Sequence, residues 1–450
     1  MHFGLEEYVP IPYVLYCGAI VALLLSLFWR PIVGLYYLVP LIPLQTIRYA
    51  LNDFPLGQSV VDIILLSVAV GLIRQGGSLC PKTPLNRLLA AYAIYTFVSL
   101  CAGSWYLNVP LPLSPSDPRL ADWKCYFTLP AIFLLVIATV RDTSQMRVLV
   151  MLMCISVLML DRNYWSTISE RDFSSYSDDL RNEGALGYAG VNGLAAFQAQ
   201  FASALLALAA FERKKLLLCG YIGLASFSVI CLMYSLSRGG YAAFLVGWLF
   251  IGLTKNRKLL ILLAAFLVLW AGVVPNAVRE RVTMTYKTNG SFEPSTETRM
   301  RLWNDALQVV QSNPLFGTGF NTYAYMGRIG SYQDTHNIYL KVMVETGLIG
   351  LLLFLALLCG LFKAGWSLFR QDGDPFLRSL GLALAAWIVC TAAANLFGDR
   401  WTYLQVNGYL WILAGCVYRG LALQASESEE YAGMEETATL LPAHAGMAAL

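Results

Sequence analysis

Residue 336 is the one histidine in the body of this chain; the other two, His2 and His444, lie near its ends. It stands in "QDTHNIYLKVMVETGLIGLLLF", residues 333–354, where a polar loop gives way to a long apolar run. An unperturbed imidazole titrates near pH ~6.5, which suits a general base working close to neutrality. With Asn337 beside it at a helix start, ring and amide are expected to project from the mouth of that helix. Four arginines hold comparable positions. Arg181 precedes "NEGALGYAGVNGLAAF", Arg238 lies in a short turn between two apolar runs, and Arg299 and Arg301 fall in "TETRMRLWNDAL". A guanidinium fork pairs bidentately with phosphate, and an arginine at membrane depth is costly unless an anion meets it. A diphosphate ligand entering from the membrane plane would suit such a cluster. For any one of these residues, an ordinary interfacial contact or a lipid headgroup is the plainer alternative.

The elements that must hold these residues are membrane spans. Of the 450 residues 57% are hydrophobic and 13% charged, and the mean hydropathy is +0.58. A soluble domain carries roughly 25% charge. Apolar runs lie at 11–29, 31–47, 59–73, 85–106, 123–140, 146–160, 188–211, 216–234, 241–254, 259–274, 337–362, 376–396 and 401–417. Each approaches the ~20 residues that cross a bilayer. The expected fold is all-α, a polytopic membrane protein of 12–13 transmembrane helices in one domain, 1–423. Its long outward loop, 275–335, carries short helices. Pro40 and Pro43 make the second run the one expected to be kinked or re-entrant. Residues 424–450 are acidic, rich in small residues and aperiodic, and read as a disordered cytoplasmic tail.

Every second junction is basic with few acids: Arg30; Arg74, Lys82 and Arg87; Arg141 and Arg147; "ERKK" at 212–215; "KNRK" at 255–258; Lys363, Arg370 and Arg378; and Arg419. The positive-inside rule assigns these to the cytoplasm and puts His336 and the four arginines outside. The N-terminal "MHFGLEEYVP" is acidic, so no cleavable signal peptide is expected. The ten cysteines are scattered through apolar runs and read as small core residues, with neither a disulfide frame nor a metal site. The acids of "DGD" (Asp372 and Asp374) fall on the inner side and read as a loop. Asp178, Asp179 and Glu183 are outer acids whose spacing fits no strong metal motif. The glycines of "GTGF", 317–320, mark a turn rather than a phosphate loop.

Four stretches give the chain a family likeness: "RNEGALGYAGVNGLAAF", "SLSRGGYAAFLVG", "TRMRLWNDALQVVQSNPLFGTGFNTY" and "HNIYLKVMVETGLIGLLLF". With these it resembles the O-antigen ligase and O-antigen polymerase superfamily of bacterial envelope glycosyltransferases, most strongly between Arg181 and Phe354. The last two stretches are specific together and weak apart. The family's frequent Pro-Asn is Val191-Asn192 here, which leaves the Asn-Gly helix start intact. The resemblance implies a GT-C-like glycosyltransferase of the bacterial cytoplasmic (inner) membrane with its site facing the periplasm. Its donor would be an undecaprenyl-diphosphate-linked glycan, its acceptor another glycan, a lipid A core or a protein hydroxyl. Inversion at the anomeric carbon is implied, with no metal or other cofactor and no nucleic acid. Beside the lipid bilayer, a flippase and a chain-length regulator are the expected partners. Arg181, Arg238, Arg299 and Arg301 match the diphosphate-handling arginines, with the choice between the last two open. His336 matches the base; Asn192, Trp303, Asn337 and Glu345 are expected in acceptor-side or supporting roles.

The motifs do not separate polymerase from ligase. The stretch "FNTYAYMGRIGSYQDTH", 320–336, is rich in tyrosine and glycine and nearly neutral. With Trp303, Tyr323, Tyr325 and Tyr332 available to stack on sugars, it favours polymerisation over docking a phosphorylated core. A lipid-linked oligosaccharide flippase is the competing class, but it would carry paired charges deep along a path across the membrane. Here Asp62 alone is a candidate for depth, and the sequence leaves its partner open.

Overall fold

The computed structural model describes residues 10–284, 293–330 and 333–440, with side chains as far as residue 426. Its α-helices are, in order, α1 (Pro10–Phe28), α2 (Ile32–Leu41), α3 (Gln45–Tyr49), α4 (Val60–Arg74), α5 (Pro84–Leu107), α6 (Pro118–Thr139), α7 (Thr143–Ile168), α8 (Gly190–Ala209), α9 (Lys215–Tyr234), α10 (Arg238–Thr254), α11 (Lys258–Val273), α12 (Asn276–Thr283), α13 (Pro294–Ser312), α14 (Tyr323–Met326), α15 (Ile338–Arg370), α16 (Pro375–Ala394) and α17 (Leu404–Leu440). Their starts follow local chemistry. Proline opens α5, α6, α13 and α16, where its missing N–H costs nothing. The carboxylates of Asp117, Asp142 and Asp374 accept backbone N–H groups at the starts of α6, α7 and α16.

All thirteen apolar runs fall on helices. Among the described residues nine helical spans are long and apolar enough to cross a membrane, and α11 with α12, bent by 114° at their junction, adds a tenth. The chain is an all-helical polytopic membrane protein. The expected 12–13 spans exceed this number for identifiable reasons. Helix α2 has 10 residues with Pro40 inside it, so at 1.5 Å per residue it covers only about half the hydrocarbon core. The chain breaks around Pro43 before α3. Helix α10, at 17 residues, sits at the lower limit for crossing. The segment from 424 that reads as disordered is helical as far as Leu440: a helix already nucleated by the apolar part of α17 propagates cheaply into residues of fair helix propensity. Residues 441–450, with His444, and residue 332 lie outside the described residues.

Helices α8 and α16 form the most enclosed part of the bundle, and α10 packs on both. Small residues make this close approach possible. A Cβ on Gly247 of α10 would stand 2.2 Å from the Cys390 sulfur of α16 and 2.5 Å from Ser203 Oγ of α8. Large apolar side chains such as Leu216, Ile261 and Val268 are exposed, as lipid-facing positions are. The basic junctions read as inner gather at one end: Lys255 lies 3.9 Å and Arg378 5.5 Å over the Phe211 ring, and Arg147 is 3.7 Å from Asp374. Asp374 caps α16, so "DGD" is the turn expected.

At the opposite end the long loop carries α12, α13 and α14 and is bound to α15. Gly347 breaks the α15 helix with φ +65°, and a Cβ there would lie 2.2 Å from the Leu315 carbonyl. Backbone bonds Thr318 N to Val344 O (2.9 Å), Gly319 N to Glu345 O (2.8 Å) and Leu348 N to Pro314 O (2.9 Å) clamp the loop to this break. The "GTGF" glycines thus form a docking turn, Gly319 approaching Gly103 of α5 where any side chain would collide.

Candidate active site

The charged cluster is assembled by helix starts. Leu236, in the left-handed region at φ 56°, turns the chain from α9 so that Arg238 becomes the first residue of α10. A 3-10 turn, Asp178–Leu180, delivers Arg181 to the start of α8, where its Nη2 donates to Asn192 Oδ1 at 2.9 Å. The same oxygen accepts from Ser237 Oγ at 2.8 Å, so Asn192 ties Arg181 to the α10 start. Arg281 of α12 is buried, and Arg400 is buried between α16 and α17. Arg181, Arg238, Arg281, Arg299 and Arg400 all line one narrow cleft of about 20 Å³, room for a water-sized group.

Glu293 is the carboxylate that organises them. It accepts from Arg238 Nη2 and Arg281 Nη1, each at 2.7 Å, and from Ser295 Oγ at 2.7 Å. Burial raises its carboxyl, but the hydrogen bonds from Arg281 and Ser295 and the charges of Arg281 and Arg238 outweigh that and hold it at about 2. Arg299 forms no ion pair among the described residues. Burial, and then the charges of Arg238 and Arg400, push its guanidinium down to about 10. Burial, and then the Arg281 charge, lower Arg181 as well, and its Nε is buried without a hydrogen-bond partner among the described residues. Positive charge is crowded here beyond what one carboxylate balances. A polyanion is the ligand such a cleft favours.

Arg301 does not join the cluster. It is 71% exposed and pairs with Glu297 one helical turn away at 2.5 Å. Helix α13 buries Leu302, Ala306 and Val309. Arg299, three residues before Leu302, shares that face, and Arg301 does not.

His336 has φ 51°, a left-handed conformation costly for a side-chain-bearing residue and common where function requires it. The turn folds the residue back on Asp334, whose Oδ1 accepts from the His336 backbone N–H at 2.5 Å and lies 2.7 Å from Nδ1. Burial raises the Asp334 carboxyl, but the His336 hydrogen bond and charge, with the charge of Lys341, prevail and hold it at about 2. An ionised carboxylate on Nδ1 fixes the tautomer whose basic nitrogen is Nε2. Trp303 Nε1 donates to the Thr335 carbonyl at 3.1 Å and so steadies this turn. The Asn337 side chain is turned back on its own helix: Oδ1 caps α15 by accepting from Tyr339 N (3.0 Å) and Leu340 N (3.3 Å).

Asp334 also lines a second, larger cavity of about 680 Å³. Its wall carries the acids Asp62, Asp122, Asp334, Glu345 and Asp399, the bases Arg48, Lys124 and Lys341, and the tyrosines 49, 92, 126, 188, 325 and 403. Asp62 is paired with Lys124 and Lys341 with Asp399. Glu345 is buried, and its Oε1 has no hydrogen-bond partner among the described residues. Asp399 lines this cavity and the next residue, Arg400, lines the arginine cleft. Arg281, Arg400, Glu293 and Asp334 were not singled out from the sequence. The two arginines break the inside-positive bias just as the others do, so the same rule could have found them; Asp334 is visible only once residue 336 is known to fold back.

Residues 223–355 match the family model described as O-antigen ligase, which bears out the likeness to the O-antigen ligase and polymerase superfamily. That stretch holds Arg238, Arg281, Arg299 and His336, whereas Arg181, Asn192 and Arg400 come from outside it. No curated protein matches the chain.

Proposed function

We propose that this membrane protein of the O-antigen ligase and polymerase superfamily polymerises an undecaprenyl-diphosphate-linked oligosaccharide on the outer face of the bacterial inner membrane. One observation carries the reading: five arginines meet in a cleft, and one of them, Arg400, is next in sequence to Asp399, which lines the larger cavity together with Asp334, the partner of His336. The donor diphosphate lies among Arg181, Arg238, Arg281, Arg299 and Arg400. The cleft is narrow, so their long side chains spread to admit it. The acceptor sugar occupies the larger cavity against its tyrosines. His336 Nε2 takes the proton of the acceptor hydroxyl as its oxygen bonds to the anomeric carbon. The bond from that carbon to the diphosphate oxygen breaks, and the carrier diphosphate leaves as an anion held by guanidinium groups. Attack opposite to the leaving group inverts the anomeric centre. Arginine charge stabilises the leaving group directly, so no general acid or divalent ion is required.

Transfer to a lipid A core is the second reading, since the superfamily contains ligases. The cavity lining disfavours it. Five acids against three bases make a poor dock for a phosphorylated core and an acceptable one for a neutral glycan. Deleting the gene should leave single repeat units on the carrier. Long lipid-linked chains accumulating in the deletion strain would instead identify the protein as a ligase.

A further inference from the structure

A third cavity, of about 570 Å³, lies at the end of the bundle away from the arginine cleft. It opens between the start of α5, the last third of α15 and the apolar part of α17, with Ile137 of α6 behind it. Gly360 and Ala364, on its α15 wall, lie beyond the Gly347 break on the far side from His336, roughly 20–25 Å from that break along a helix rising about 1.5 Å per residue. The wall is apolar, with Leu85, Leu88, Ile137, Tyr418 and Leu421. The mouth is cationic: among the described residues Lys82, Lys363 and Arg419 line it and no acid does. None of the three forms an ion pair among the described residues. The Arg419 Nε is buried without a hydrogen-bond partner there, and Nη2 makes only a long 3.4 Å bond to the Arg141 carbonyl. The N-terminus of the 24-residue helix α5 also faces the cavity through Thr83, Pro84 and Leu85, adding the positive end of a helix dipole. Asn86 fixes this rim, accepting from Thr83 Oγ1 and donating to the Pro81 carbonyl, both at 2.5 Å.

We propose that this cavity binds an anionic phospholipid of the leaflet opposite the active site. Its phosphate sits among Lys82, Lys363, Arg419 and the α5 N-terminus, and the first part of its acyl chains fills the apolar wall. Free phosphate would satisfy the rim and leave the wall uncovered. A neutral lipid would fill the wall and leave three cations unmatched. The occupant that meets both demands is a diacyl lipid with a net negative headgroup. The site is independent of the glycosyl-transfer reading, because none of its residues lines the arginine cleft or the larger cavity.

The test is lipid retention by the full-length protein, measured by native mass spectrometry after exchange into bilayers of phosphatidylglycerol with phosphatidylcholine. The wild type should keep phosphatidylglycerol in preference to phosphatidylcholine by at least tenfold, against the several-fold weakening expected for each cation lost. A Lys82→Gln, Lys363→Gln, Arg419→Gln triple variant should lose the preference with its melting temperature unchanged. Leu88→Trp, which keeps every charge but fills the wall, should lose retention too. Equal retention of the two lipids by the wild type would overturn the site. So would undiminished preference in the triple variant, or in Leu88→Trp. Displacement of the retained lipid by millimolar inorganic phosphate would show a simple anion site and overturn it as well.

Discussion

Asp399 and Arg400 are consecutive residues that face different cavities: Asp399 pairs with Lys341 at 2.8 Å in the larger one, and Arg400 closes the arginine cleft. The two cavities are thus lined by neighbouring residues of one short segment. In the proposed reaction the larger cavity holds the acceptor and the cleft the donor diphosphate, so the reacting carbon passes near this pair.

Asp334→Asn should keep a hydrogen-bonding group beside Nδ1 while removing the charge that fixes the tautomer. Losses of roughly 10²-fold or more in turnover are expected where a positioned base fails, with donor affinity unchanged. Turnover within a factor of two of wild type would make Asp334 a structural cap of the turn and nothing more. The measurement is chain elongation under saturating donor, set beside donor binding measured directly.

The arginines divide cleanly. Arg281→Gln and Arg400→Lys should both weaken donor use, the second because a lysine keeps the charge but loses the planar fork. Arg301→Ala should behave as wild type, since Arg301 is exposed and among the described residues pairs only with its helix neighbour Glu297. Loss of donor binding in Arg301→Ala, with Arg400→Lys unaffected, would reverse the assignment.

Much of this site was legible in the sequence for one physical reason: arginines on the outer side of a membrane protein run against the charge bias that sets its orientation. Arg181, Arg238 and Arg299 follow from that rule, but so does Arg301; the sequence leaves the choice between the last two open, and the structure places Arg299 in the cleft and Arg301 at the surface. What could not be read depends on long-range geometry. Glu293 meets Arg238 across 55 residues of sequence, and Asp334 reaches His336 only because residue 336 adopts φ 51°. The helices were legible because apolar runs of spanning length have few alternatives in lipid. The boundaries that misled were those where proline or length, not hydropathy, decides whether a helix crosses, as in α2.

Glu293 gives a pH dependence with a defined sign. Its carboxyl sits at about 2 in the folded protein, below the ~4.3 of an unfolded chain. Its contribution is therefore fully present above pH ~5 and lost progressively as pH falls towards ~2. Protease resistance of the loop that carries α12 and α13 should hold unchanged from pH 7 to 5 and decline below 4. Glu293→Gln should loosen the loop already at pH 7. A loosening of the wild type between pH 7 and 5 would contradict the clamp.

The most direct test is elongation of a purified lipid-linked repeat by the protein in liposomes, in the presence of a metal chelator, comparing wild type with His336→Asn. An amide can fill the space and hydrogen-bond, but it cannot take a proton at neutral pH. The wild type should elongate in chelator, and His336→Asn should bind donor normally yet make no chain. Elongation by His336→Asn near the wild-type rate, or a wild type that stays inactive until magnesium or manganese is added, would contradict a histidine base working against an arginine-held diphosphate.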